Sequence, residues 1–276
     1  MALVEVPARP APDAPGRLRG ALIVAEHHWT WYRRNWRATV VSSVLQPLLF
    51  LLAFGVGFGA LVDGTGRAAT ATGGVDYLVW LAPALLAMSA VQTAAFESTY
   101  PVLSGFKWQR GYHAMAATPL TGAQIAVGHL GWIGAKMFAS GAIYVAVIAL
   151  FGGVQSVGIV VSLLVATLAG MSVASLVMWF AATVENEGSA FSALFRFVVI
   201  PMTLFSGTFF PIDRLPVLVQ PVAWVSPLWH ATELARSAAL DAWRPVAAAG
   251  HLAHLLVLLA VGTLLVTRRF ARRLAP

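Results

Sequence analysis

Cysteine is absent from the 276 residues, which excludes disulfides, thiolate metal centres and a cysteine nucleophile. Charge is scarce at 11% of residues, where soluble domains carry about 25%. Lysine is nearly missing: Lys107 and Lys136 are the two among 18 basic residues. No GxxxxGKS or GxxxxGKT phosphate loop occurs, so the chain cannot bind and split ATP in that way. GxSxG and HExxH are missing too, and the long apolar segments hold no Asp or Glu. Intramembrane hydrolysis by a paired nucleophile and base, by paired carboxylates or by a metal therefore lacks its residues. An enzyme embedded in the membrane is disfavoured, while a structural or receptor-like membrane protein stays open on composition alone. The first residues, MALVEVPARPAPDAPG, contain no continuous apolar core of the kind a secretory signal needs. Residues 1–16 read as a disordered cytoplasmic tail.

What the chain has instead is apolar length. Hydrophobic residues make up 59% and the mean hydropathy is +0.77. A hydrocarbon core takes about 20 apolar residues in helical form. Six segments meet that need: Ala38–Val62, Tyr77–Phe96, Ala123–Leu150, Val157–Val184, Ala190–Phe210 and Val246–Thr267. Pro47, Pro83 and Pro201 fall inside them, which neighbouring helices can accommodate. The reading is an all-α membrane protein with one six-span unit over residues 38–267 and no repeat or second domain. If both termini are cytoplasmic, the inner segments carry 12 Lys and Arg and the outer ones 4, with Lys136 and Arg196 inside spans. The positive-inside rule therefore puts both termini in the cytoplasm, with residues 268–276 a basic tail. In such a chain a basic excess reports orientation rather than a nucleic-acid surface.

Four places break the apolar pattern. Residues 17–37 precede the first span, and there Leu18, Leu22, Ala25, Trp29, Tyr32 and Trp36 recur at spacings of four and three, opposite Arg19, Glu26, Arg33 and Arg37. That pattern suits an amphipathic helix in the headgroup plane; the alternative is a plain extension of the first span. Next, FESTYPVLSGFKWQRGYHAMAATPLTGAQ is long for an inner connection. Pro101 and Gly105 weaken the helix, and Thr121 with Gln124 has capping-box spacing. Between them, Phe106, Lys107, Trp108, Arg110, Tyr112, His113 and Met115 suit a short amphipathic helix. It either enters a partner's cleft or folds on the bundle's own end.

The third place is the outer segment from Gly207 to Leu240, whose length and tryptophans suggest short helices dipping into the outer leaflet, as a gate or an anchor. The fourth is intramembrane charge. A basic residue at bilayer depth costs about 2.5–3.5 kcal/mol. Arg196 can snorkel to the inner surface near Glu185 and Glu187. Lys136 lies deeper, and no adjacent span offers it an acid; it either meets carbonyls freed near a proline or faces a polar cavity. Gly55 and Gly59 make a GxxxG spacing, and His251 with His254 read as packing or interfacial residues rather than metal ligands.

Two stretches together resemble the permeases of ABC-2-type exporters: FESTYPVL followed by QRGYHAMAATPLTGAQIAVGHLGWIGAK, and LFSGTFFPIDRLPVLVQPVAWVSPLWHATELAR. The resemblance covers about Glu26 to Thr267 and is nearest to the branch named for nodulation protein J. It implies two permeases paired with two copies of a separate ABC ATPase, which binds ATP and Mg while this chain holds no cofactor. It also implies that the Glu97–Thr118 region, with Glu97, Lys107, Trp108, Arg110, Tyr112, His113 and Met115, couples to the ATPase. Lys136, Gly207, Phe209, Phe210 and Pro211 become candidates for the pathway or its gate. Lys136 sits where related sequences often show a Thr-Lys pair; here Ala135 precedes it. The implied activity is export of an amphipathic or lipid-linked substrate (lipo-oligosaccharide, glycolipid or drug-like) across a bacterial inner membrane.

Overall fold

The computed structural model describes residues 15–50, 74–185 and 189–275, with single positions at 52, 53, 57 and 72; between 35 and 50 only the side chains of Leu45 and Leu49 are described. The distal part of the first expected span, with Gly55 and Gly59, lies outside these residues. All regular structure among the described residues is helical. Among the described residues, four helices are long and apolar enough to cross a membrane: Tyr77–Phe106, Gly122–Leu150, Gly158–Thr183 and Pro245–Arg273.

Helix α1 (Arg17–Phe50) is one unbroken helix, so the boundary expected at residue 37 has no backbone counterpart. Its packing face is Gly20, Ala21 and Val24, while Leu18, Leu22 and Trp29 of the expected stripe are exposed. The packing face meets α5 (Gly122–Leu150) where Gly128 allows a close approach. A Cβ on Gly128 would lie 2.5 Å from the Ala21 carbonyl oxygen and 2.6 Å from Val24 Cβ. The capping box expected at the start of α5 is present: Thr121 Oγ1 accepts from the Gln124 amide at 3.2 Å, and the Thr121 amide donates to Gln124 Oε1 at 2.8 Å. Gln124 Nε2 also donates to the Pro15 carbonyl at 2.9 Å, tying the start of α1 to the start of α5.

The centre of the bundle is α6 (Gly158–Thr183), packed against α2 (Tyr77–Glu97), α5, α10 (Pro227–Ala239) and α11 (Pro245–Arg273). Its buried face is largely small: Ser162, Ala166, Ala169, Gly170, Ser172, Ala174 and Ser175. Small residues let backbones approach, and serine hydroxyls then reach the neighbour's carbonyls. Ser162 Oγ donates to Ala235 O at 2.7 Å and Ser172 Oγ to Leu255 O at 2.9 Å.

The fifth expected span is shorter than Ala190–Phe210. Helix α7 (Ser189–Leu194), a π turn at Phe195–Val199 and α8 (Ile200–Phe205) form one apolar run that stops at Phe205. The chain then turns because Gly207 takes a φ of +72°, a left-handed conformation that a side chain would resist. A 3-10 turn at Ile212–Arg214 and α9 (Gln220–Val225) lead into α10, which is the sequence of short helices expected for this segment. At the carboxyl end α11 runs six residues past Thr267, so most of the expected tail is helix. Arg269 Nε and Arg273 Nη1 both donate to Ala182 O, at 3.1 and 2.7 Å, and so satisfy a carbonyl in the last turn of α6.

Candidate functional site

The connection between α2 and α5 contains two short helices, α3 (Tyr100–Phe106) and α4 (Gly111–Ala116). Pro101 opens α3 rather than weakening a longer helix, since its missing N–H costs nothing in a first turn. Arg110 takes a φ of +49° and reverses the chain between the two, an uncommon conformation for a residue other than glycine. One side of this hairpin faces inward. Phe106 and Tyr112 are 3% and 2% exposed, their rings meet at 4.8 Å, and both meet Phe270 of α11, at 4.8 and 5.2 Å. The Tyr112 hydroxyl and His129 Nδ1 of α5 are 2.9 Å apart. The other side faces out, with Lys107, Trp108, Arg110 and His113 all exposed and Met115 half-buried against the core.

The buried aromatics follow the reading in which the loop folds on the bundle's own end, while a basic and aromatic turn projects from it. Tyr112 is corrected from a surface contact to a buried fastening. Burial pushes its phenol pKa up, so it stays neutral. Lys107 Nζ donates to Glu185 O at 3.3 Å, which sets the turn beside the α6–α7 connection.

Glu97 does not join the exposed group. As the last residue of α2 it accepts from Lys136 Nζ at 2.6 Å. The expectation that no neighbouring span offers Lys136 an acid is therefore wrong, because α2 continues one residue beyond Phe96. Lys136 is 8% exposed and Glu97 28%. The Lys136 ammonium also lies 5.8 Å from the Tyr32 ring of α1. Beside it, the rings of His28 (α1) and His129 (α5) meet edge-on at 4.5 Å. Burial, helped by the charges of His27 and Lys136, lowers the His28 pKa to about 4, so it is neutral at physiological pH. These contacts tie α1, α2 and α5 together, and through His129 and Tyr112 they continue to α4.

At the other end of α2, about 25 Å away at 1.5 Å per residue, lies a residue that sequence reasoning missed. Arg236 of α10 is 6% exposed. Its Nε donates to Trp80 O at 3.1 Å, Nη1 to Gly207 O at 2.8 Å and Nη2 to Thr208 O at 2.7 Å. The guanidinium lies 3.3 Å from the centre of the Trp80 ring. Burial pulls its pKa down to about 10, with Glu233 opposing, which still leaves it charged. Counted by sequence, Arg236 was one of four outer basic residues; its position among Thr232, Ala235 and Ala239 on the buried face of α10 was the available signal.

The gate candidates surround this clamp. Gly207 supplies the turn, Phe209 O accepts from the Tyr77 hydroxyl at 3.0 Å, Phe210 is exposed, and Pro211 leads into the 3-10 turn. Lys136, midway along α5, contacts Glu97 at the other end of α2 from this clamp. His251 and His254 pack with His230: His230 Nδ1 and His251 Nδ1 are 2.8 Å apart, and the His230 and His254 rings stack at 3.8 Å.

Residues 21–240 match the family model described as ABC-2 type transporter. The chain is 32% identical over 251 residues to nodulation protein J of Rhizobium leguminosarum bv. viciae, covering 88% of this chain and 93% of that protein. It is 30% identical over 259 residues to nodulation protein J of Rhizobium meliloti (strain 1021), covering 90% and 95%. It is also 26% identical over 200 residues to the inner membrane transport permease YadH of Escherichia coli (strain K12), covering 71% and 73%.

Proposed function

Because the chain belongs to the ABC-2 type transporter family, as a membrane transport subunit without an ATPase domain, we propose that it is the permease of an exporter driven through the Lys107–His113 turn by a separate ATPase. The complex would hold two permeases and two ATPases. The permease would have six spans, with both termini cytoplasmic as the charge asymmetry requires. Its cargo would be amphipathic or lipid-linked, most simply a lipo-oligosaccharide or glycolipid, moved outward from the inner leaflet of the bacterial cytoplasmic membrane.

The observation that carries this reading is the division of the α3–α4 hairpin into two faces. A partner pressing on Trp108 and Arg110 pushes a unit that Phe106 and Tyr112 fix to α5 and α11. The same hairpin continues from α2, whose Glu97–Lys136 pair locks it to α5. Helix α2 in turn touches the Arg236 clamp at its far end. A displacement at the turn thus reaches the Gly207–Pro211 segment through one rigid helix. ATP chemistry belongs to the partner; this chain supplies the contact surface, the lever and the exit. In the reconstituted complex, Trp108→Ala is expected to leave the permease folded while abolishing ATP-driven export. Normal export by that variant at normal expression would contradict the reading.

A further inference from the structure

Beside the Arg236 clamp, where α10 meets the start of α11, two histidines turn their ring nitrogens toward each other. His230 Nδ1 and His251 Nδ1 are 2.8 Å apart. The spacing of His251 and His254 in the sequence offered no carboxylate or third histidine nearby; the fold supplies both. His230 comes from α10, and Glu233, three residues along the same helix, lines with His251 a cavity of about 440 Å³. We propose that His230 and His251 form a site for a divalent transition metal, Zn²⁺, completed by the Glu233 carboxylate and water from that cavity, and that the ion staples α10 to α11. The proposal rests on this geometry and not on the exporter reading.

Hydrogen bonding sets the chemistry of the pair. The other nitrogen of His230, Nε2, lies 2.9 Å from Trp224 O. A carbonyl only accepts, so Nε2 carries the proton and the neutral ring has its lone pair on Nδ1. Burial lowers the His230 pKa to about 4, so the ring is neutral at physiological pH. An N–H held by a backbone carbonyl, with the opposite nitrogen left to ligate, is the usual setting of a metal-binding histidine. A proton on His251 Nδ1 bridges the pair; moving it to Nε2, the other neutral tautomer, frees both lone pairs for one ion. Two Zn–N bonds of about 2.1 Å at a tetrahedral angle set their nitrogens about 3.4 Å apart. The pair therefore opens by about 0.6 Å, a rotation that the half-buried His251 ring can make.

Both rings are held for this. His254 stacks on His230 at 3.8 Å, and Trp229 meets the His251 ring edge-on at 5.0 Å. His254 is backing and not a ligand, since its Nε2 is enclosed. Among the described residues no three histidine or acidic side chains already enclose a common point. Glu233 becomes the third ligand by turning: it is 42% exposed and meets Arg236 only at 3.8 Å. Arg236 loses little, because it donates to the Trp80, Gly207 and Thr208 carbonyls. Asp213 and Glu233 balance Arg236 and Arg244 in the cavity lining, so no net formal charge repels a cation. Imidazole with carboxylate and water suits Zn²⁺ and its neighbours, whereas Mg²⁺ and Ca²⁺ prefer oxygen alone.

The test uses the full-length permease without a histidine tag, stripped of metal with EDTA and held in phospholipid nanodiscs, with empty nanodiscs as the blank. Zn²⁺ is titrated against a fluorescent chelator near neutral pH. Saturable uptake of one ion per chain is expected, with a Kd of about 1 μM, and excess Mg²⁺ should not compete. His251→Gln should weaken binding about 100-fold and Glu233→Gln about tenfold. His254→Phe, which keeps the stacked ring, and His27→Gln, which removes an exposed histidine of α1, should leave it unchanged. Zn²⁺ should raise the unfolding temperature of the wild type and not that of His251→Gln. Labelling of the wild type with diethylpyrocarbonate needs no variant: Zn²⁺ should protect His251 and leave His27 reactive. Absence of saturable uptake overturns the proposal. So does uptake that His251→Gln leaves intact, which marks an adventitious ion only, and so does equal labelling of His251 with and without Zn²⁺. No step involves an ATPase, so failure here leaves the exporter reading standing, and failure to recover an ATPase leaves this site standing.

Discussion

Single residues carry the charge balance of this molecule. Lys136 would be expensive at membrane depth if bare, and the Glu97 carboxylate at 2.6 Å is what makes it tolerable. Removing one partner leaves the other desolvated. Lys136→Ala should therefore lower stability by about 3 kcal/mol, the low end for a buried pair because Glu97 is partly exposed. The double substitution Lys136→Met with Glu97→Leu should recover much of that loss in thermal unfolding. Arg236 behaves similarly, since no other side chain can present three donors in its geometry to three carbonyls. Arg236→Lys is expected to lower the unfolding temperature despite keeping the charge. His28 gives a pH dependence whose sign is fixed. Its folded pKa of about 4 lies below the ordinary 6.5, so the unfolded chain binds more protons between those values. The contribution is complete above about pH 6.5 and is lost as pH falls through about 4. Thermal unfolding across that window should show the decline, and His28→Gln should make it shallower, with His230, also lowered to about 4, supplying part of the remainder.

Elements were legible in the sequence where hydrophobic length or local capping decides them. Helices α2, α5 and α6 begin and end within a residue or two of the expected spans, and the Thr121–Gln124 box starts α5 as its spacing predicts. The misses have physical causes. The fifth apolar run stops at Phe205 because Gly207 turns the backbone, whereas apolarity alone continues to Phe210. Helix α11 continues into the arginines because Ala182 O gives two of them a partner that sequence distance hides. The α1–α5 contact depends on a close approach at Gly128, which no periodicity reports. Gly128→Val is accordingly expected to cost about 1–3 kcal/mol by overpacking, read as a lowered unfolding temperature.

At the scale of the whole molecule, the candidate site was half visible. The residue types of the α2–α5 connection marked it as more than a turn, but which of them face out follows from tertiary packing. Phe106 and Tyr112 are drawn in by Phe270, which lies more than 150 positions away, and that leaves Lys107, Trp108, Arg110 and His113 outside. The Arg236 clamp was legible only as an arginine among small residues on one face of α10, since its acceptors come from α2 and from the Gly207 turn. What results is a helix with a fastening at each end: an ion pair and an exposed handle at one, a carbonyl clamp beside a cavity at the other. The claim that the handle takes a partner's motion is tested most directly by affinity purification of the permease from its native membrane. Wild type is expected to bring down an ABC ATPase at about equal stoichiometry and Trp108→Ala with Arg110→Ala to lose it. Absence of any ATPase from the wild-type preparation, under conditions that preserve a control exporter, would contradict the account.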